Sequence, residues 1–258
     1  ADTRSVGFLV AGASTIAAQQ MLAAIRQQPP AVGTRDVAGA WVVAVFSHNE
    51  RRARDFAQRH GIVHFGAELE PLLQRAEIQC VYVGNHPRHH AESVRAALQA
   101  HKHVLCEPPL AFTLEEAEPL VQMAQNRGLV LAMNYAWRAT AAIHQIAELL
   151  LADRIGELLG GRLHNTAYLQ PQQQTWRLQP SGGGVIWNRT LHDLDLLRFL
   201  LRLPVREVYG RGVRTTLAAG TQEEIIGHAL LTGGLAIQLH DSFVQPHAPV
   251  TLELLGSH

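Results

Sequence analysis

The sequence predicts an α/β protein in which a doubly wound parallel sheet precedes an α+β domain with an open-faced, mostly antiparallel sheet. Three observations predict it. In the first half, continuous apolar runs alternate with stretches of helical period, the pattern of parallel strands covered on both faces by crossover helices. In the second half that alternation stops, and apolar runs follow one another through hairpin punctuation such as "TGG", which argues for a second layer of different topology. The 258 residues are enough for two modest cores.

The elements follow in order. "SVGFLVAG" reads as a strand ending in glycine, and a helix is expected from Thr15 to Gln27. "WVVAVFS" is the second strand, followed by the arginine-rich helix "NERRARDFAQRHG". "IVHFG", "IQCVYVGN", "HVLCE" and "LVLAMNY" are further strands, separated by "ELEPLLQRA", "HHAESVRAALQA" and "TLEEAEPLVQMAQNRG" at helical period. The domain boundary is expected at residues 1–133 and 134–258. Beyond it come the helix "AIHQIAELLLADRIG", the strand "LLGGRLHNTAYL", a Pro/Gln/Gly loop and the helix "TLHDLDLLRFLLRL". Four strands close the chain: "VREVYGRGV", "EEIIGHALLT", "LAIQLHDSFV" and "VTLELLG". The last ends at Gly256 with no return strand, an unpaired edge that suggests a truncated chain or one completed by a partner.

Bulk properties exclude several classes. Acidic and basic residues balance at 22 each, without the basic footprint of a nucleic-acid binder or an acidic tail. Among the basic residues only Lys102 is a lysine. Cys80 and Cys106 lie inside apolar runs and read as buried thiols. No basic-then-apolar leader opens the sequence and no apolar span is long enough to cross a bilayer, so a cytoplasmic address is expected.

The first loop, "VAGASTIA", turns from a strand through Gly12 into a helix start. Free backbone N–H groups and the positive end of a helix dipole meet there, which suits a pyrophosphate. Measured against Gly-x-Gly-x-x-Gly/Ala, the second glycine is Ser14 and the third position is Ala17. Gly12, Ser14, Thr15 and Ile16 are the candidate phosphate-binding residues. At the next strand tip, "VAVFSHNERR", Ser47 replaces the acid of an NAD-type site, with Arg51 and Arg52 beyond it. A hydroxyl and guanidinium groups fit a 2′-phosphate, which favours NADP over NAD. The alternative is a solvated arginine face on a helix.

Together, "GASTIA", the segment from "HHAESVRAALQA" to "LEEAEPLV" and "GGGVIWNRTLHDLDLLRF" resemble the glucose–fructose oxidoreductase/inositol dehydrogenase family, from about Val6 to Gly256. The resemblance implies a Rossmann domain and a sheet domain that holds substrate and mediates homo-oligomers. It also implies hydride transfer between a nicotinamide and a carbonyl or alcohol carbon of a sugar- or polyol-like substrate. It places Glu107 and Pro108 with the cofactor-binding residues.

Three places depart from the family pattern, the third being the loop "GNHPRHH", Gly84 to His90, where the family has a Thr-Pro-Asn or Thr-Asn type turn. The family's Glu-Lys-Pro motif falls on Glu107, Pro108 and Pro109, so a residue with no N–H stands where the family has an ammonium. Lys102 precedes the strand and lies too far away to substitute. The family's Asp and His, one turn apart and facing substrate, fall on Asn188 and His192. These two are the candidate catalytic residues, with His192 as general acid. In "GNHPRHH", His86, His89 and His90 fit no zinc spacing, and His90 reads as structural. Tyr135, Arg138, Tyr168, Trp176 and Arg177 are polar candidates for the same region. Three readings stand: an NADP-dependent oxidoreductase, a catalytically inactive nucleotide-binding homologue serving as sensor or assembly subunit, and an enzyme of nicotinamide-assisted elimination.

Overall fold

The computed structural model describes residues 5–26, 39–214, 217, 220–246 and 250–258. Two compact units divide the chain, Ala1–Asn134 and Tyr135–His258.

The first unit holds six parallel strands: β1 (Val6–Ala11), β2 (Ala40–Phe46), β3 (His64–Gly66), β4 (Cys80–Val83), β5 (His103–Cys106) and β6 (Leu131–Met133). Their order is β3-β2-β1-β4-β5-β6, so the winding reverses between β1 and β4. Neighbouring residues along each strand enter opposite layers. Leu9, Val81 and Val83 pack with Val94, Leu98 and Leu120 on one face, while Val10, Val45 and Tyr82 pack with Leu22 and Phe56 on the other. This period of two, apolar on both faces, is why the strands read as unbroken apolar runs. The covering helices are α1 (Leu22–Arg26), α2 (Glu50–His60), α3 (Leu69–Leu73), α4 (His90–Gln99) and α5 (Leu114–Asn126). A π-helical turn, Ala17–Met21, precedes α1, and Gln27, the expected end of that helix, lies outside the described residues. Asn49 caps α2 by accepting from the Arg52 amide, and Thr113 caps α5 by accepting from that of Glu116.

The second unit contains α6 (Ala141–Leu151), β7 (Leu158–Thr166), α7 (Leu191–Leu201), β8 (Val205–Val213), β9 (Glu224–Leu231), β10 (Ala236–Ser242) and β11 (Thr251–Gly256). Strand order is β11-β7-β10-β9-β8; β7 and β10 run parallel and the other pairs antiparallel. One face packs Ile237 and Leu239 of β10 and Leu163 of β7 against Leu196, Leu197 and Leu200 of α7 and Ile143 of α6. The opposite face carries a depression of about 630 Å³ lined by His164, Tyr209, Arg211, Ile226, His228 and His240. β11 has one neighbour among the described residues, β7. No described helix is long and apolar enough to cross a membrane.

Candidate functional site

In the first unit the carboxyl ends of β1, β2, β4 and β5 converge on the point where the winding reverses, the place where open α/β sheets bind ligands. Gly12 ends β1 at φ +123°, and a Cβ there would sit 2.5 Å from the Asn85 backbone nitrogen. The turn after β1 is thus pressed against the loop after β4, and only glycine fits. Ser14 closes the turn: its Oγ accepts from the Ala17 amide at 3.2 Å. Thr15 and Ile16 open the helix, where first-turn N–H groups have no intrahelical acceptor.

The tip of β2 is tied to this turn. Arg52 Nε donates to the Ala13 carbonyl at 3.0 Å, so its guanidinium stands beside the glycine turn. Ser47 Oγ accepts from the Asn49 amide at 3.4 Å. Arg51 behaves differently: its side chain is 90% exposed and faces Asp55 at 3.9 Å. Of the arginines the sequence singled out, Arg52 is thus the one joined to the turn.

Glu107, at the end of β5, is fixed from both sides. Tyr82 O–H and Asn134 Nδ2–H each donate to its Oε1 at 2.6 Å. Burial pushes its carboxyl up from the usual range, against the lowering effect of those donors. The Pro108–Pro109 bond is cis, and the buried His90 ring links two loops: Nδ1 lies 2.6 Å from the Pro109 carbonyl oxygen and Nε2 3.2 Å from that of Asn85. Its burial lowers its pKa. Lys102 Nζ donates to the carbonyls of Ile78 at 2.8 Å and Arg75 at 3.2 Å, at the amino end of β5. The rings of His48 and His89 lie 4.6 Å apart, a contact between the β2 and β4 tips with no sequence signal.

In the second unit a π-helical segment, Ile186–Thr190, leads into α7. Asn188 lies within it. Its Nδ2 donates to the carbonyls of Gly182 at 3.1 Å and Gly184 at 2.8 Å, holding the glycine loop closed. A carboxylate there would face those same carbonyls. His192 follows in the first turn of α7, half-buried, with the Tyr135 ring edge-on at 5.5 Å. Burial lowers its pKa, Asp195 opposes that, and Arg189 reinforces it. Asp195 in turn accepts from both Arg138 Nε, at 2.7 Å, and Arg138 Nη2, a bidentate pair. Beneath this surface lie Asn165, Asp193, Asp241 and Thr190, all buried. Sequence reasoning passed over them, although Asp193 and Asp241 occupy inward slots of an apolar helix and an apolar strand.

Two family models cover nearly the whole chain: an oxidoreductase family model with an NAD-binding Rossmann fold over residues 6–135, and the GFO/IDH/MocA C-terminal domain over residues 143–258. The chain belongs to the GFO/IDH/MocA oxidoreductase family. It is 34% identical over 95% of its length to 1,5-anhydro-D-fructose reductase of Ensifer adhaerens, spanning 72% of that protein. A dTDP-3,4-didehydro-2,6-dideoxy-alpha-D-glucose 3-reductase of Streptomyces antibioticus is 32% identical over 93% of the chain and is spanned to 70%. Among solved structures, the 3-ketoreductase KijD10 of Actinomadura kijaniata, in complex with NADP and TDP-benzene, superposes with a TM-score of 0.83 at 26% identity. That match covers 98% of this chain and 74% of KijD10. Glu107 is thus held by two hydrogen bonds, while the next residue, Pro108, brings no N–H donor.

Proposed function

We propose that the chain is an NADP-dependent oxidoreductase that moves a hydride to or from a carbonyl or alcohol carbon of a sugar-like substrate. The observation that carries this reading is the bond from Arg52 Nε to the Ala13 carbonyl. It sets a fixed cation at the phosphate-binding turn, close in sequence to the Ser47 hydroxyl. A pyrophosphate fits the turn because Gly12 lets it pack against the Asn85 backbone and run straight into a helix start whose first amides lack intrahelical acceptors, and a 2′-phosphate fits Ser47 and Arg52. Bound there, a nicotinamide supplies or accepts the hydride. Glu107, held by Tyr82 and Asn134, and Pro108 line the same end of the sheet. His192 is the proton-handling group: burial lowers its pKa, so its imidazolium gives a proton readily to a developing alkoxide, and its neutral ring takes one from an alcohol in the reverse direction. Asn188 serves it indirectly, by holding the glycine loop from which the π-helical segment starts. The relatives' names, reductases of sugar derivatives, support the substrate class.

A second reading is favoured by Pro108, which cannot donate, and by Asn188, whose amide is committed to the glycine loop: a catalytically inactive nucleotide-binding homologue, acting as sensor or assembly subunit. Further parts of the proposal are a homo-oligomer formed through the open sheet face, where Tyr209 and Ile226 are exposed, and a cytoplasmic address that suits the free thiols Cys80 and Cys106.

Fluorescence titration with NADPH and NADH tests the nucleotide site; micromolar NADPH binding with weaker NADH binding is the expected result, and binding of neither overturns both readings. NADPH oxidation against ketoses and anhydro sugars separates the two. In the enzyme reading His192→Ala lowers turnover by roughly 10²–10⁴-fold, whereas no turnover with any carbonyl favours the inactive homologue.

A further inference from the structure

Behind His192 the second unit buries a group of charges that the proposed reaction does not use. Asp193 of α7 and Asp241 of β10 are both 0% exposed. Asp193 Oδ1 accepts from Asn165 Nδ2 of β7 at 2.9 Å, and Asp241 Oδ2 accepts from the Thr190 hydroxyl. That leaves one oxygen on each acid, Asp193 Oδ2 and Asp241 Oδ1, buried and without a donor. Asn165, which donates to Asp193, is the β7 partner of Asp241 in register, and Thr190, which donates to Asp241, enters the same turn as Asp193, so the two acids belong to one bonded set. Two bare carboxylates cannot bond; a carboxyl and a carboxylate can.

Arg189 is the cation that faces the pair, yet it gives neither acid a hydrogen bond. Its Nη1 donates to Asn165, its guanidinium stacks 5.5 Å over Phe243, and its Nε has no acceptor. One positive charge balances one carboxylate. With a single proton on the pair the group is neutral and every carboxyl oxygen is engaged; with none, a net negative charge is buried. The other nearby ionisable groups are engaged elsewhere: Asp195 by Arg138, while buried Glu223 accepts from the Leu217 amide. The ring of His192 responds to Asp195 and Arg189.

We infer that Asp193 and Asp241 share one proton at neutral pH, forming a clamp that fastens the first turn of α7 to the sheet and so positions His192. Asp193 and Asp241 are positioning residues in this scheme. The inference does not depend on the nucleotide reading, since the clamp lies wholly within the second unit and is read without cofactor.

Burial and the neighbouring acid both raise the Asp193 pKa. A carboxyl raised in the folded state retains a proton that the unfolded chain has released. Its contribution is therefore complete below the ordinary carboxylate range and is lost as pH rises towards the folded value. Urea unfolding of the full chain, followed by tryptophan fluorescence at a series of pH values, reads this directly, because Trp137, Trp176 and Trp187 lie in the second unit and only Trp41 in the first. Asp193→Asn supplies a permanent N–H donor in place of the proton. The expected result is that the wild-type folding constant falls relative to this variant by about tenfold per pH unit between roughly pH 5 and pH 8, with the variant the more stable at the upper end. Equal slopes, with Asp193→Asn as unstable as Asp193→Leu, would mean two ionised acids and would overturn the inference. The second measurement is the His192 titration by NMR. It should be unchanged in Asp193→Asn and move up towards about 6.5 in Asp193→Leu; an identical curve in all proteins would overturn the positioning role. If Asp193→Leu does not fold, the wild-type and Asp193→Asn slopes still decide whether a proton is shared.

Discussion

The turn at Gly12 and the helix start around His192 are both points where regular structure breaks to present polar groups, but they present different atoms. At Gly12 the polar groups are backbone amides, shaped by the absence of a side chain and braced by one arginine bonded to a carbonyl. Around His192 they are side chains: an amide folded back onto a glycine loop, an ion pair on the surface and two acids in the core. A site made from backbone tolerates exchange of neighbouring side chains, because its geometry is set by φ and ψ. A site made from side chains depends on protonation and on each partner in turn. On that ground the Gly12 turn keeps its shape whatever side chains flank it, whereas the surroundings of His192 change with each partner.

The comparison can be broken most severely at Gly12. Gly12→Val combines an unfavourable φ with a collision against the Asn85 backbone, and should cost about 3 kcal/mol of stability as well as NADPH binding; urea unfolding and fluorescence titration check both. Asn188→Asp introduces the carboxylate that the proposed family match expects there, but sets it against the carbonyls of Gly182 and Gly184. We expect a loss of roughly 1–3 kcal/mol and no gain in turnover, so a more active variant would contradict the loop-holding role. Arg52→Gln removes a charged contact at the β2 tip, and NADPH affinity should fall by about tenfold or more with NADH affinity little changed. Arg51→Gln, at a fully solvated position, should change either affinity much less.

The smallest effect concerns His192. Its pKa is lowered in the folded chain by burial, so the unfolded state binds its proton more readily. Stability from this source is present above the unfolded pKa and is lost as pH falls through the folded value. His192→Gln should therefore show a shallower acid-side decline than the wild type in pH-dependent unfolding, opposite in direction to the effect of Asp193→Asn.

Much of the fold was legible because its strands are buried on both faces and so appear as apolar runs bounded by Gly, Asn or Pro. "SVGFLVAG" became β1 with the turn at Gly12, and "HVLCE" became β5 ending at Glu107. The bond from Arg52 to Ala13 was not legible, since a carbonyl acceptor carries no residue signature. The π-helical turn at Ile186–Thr190 was missed for a related reason: the i, i+4 spacing of Asn188 and His192 suggests a common α-helical face, whereas the wider turn and the glycine carbonyls draw the amide to the loop. The acid pair was within reach. In β10 the residues Ile237, Leu239 and Asp241 share the inward face, and in α7 Asp193 stands three, four and seven residues before Leu196, Leu197 and Leu200. A charge in the inward slot of two packed elements is a signal that periodicity alone exposes.

Lys102 has a practical consequence. As the lone side-chain amine in the sequence, fastened to two carbonyls at the amino end of β5, it offers acylating reagents a unique lysyl attachment point at the opposite pole of the sheet from Gly12. A dye or a solid support coupled there would leave the glycine turn unobstructed.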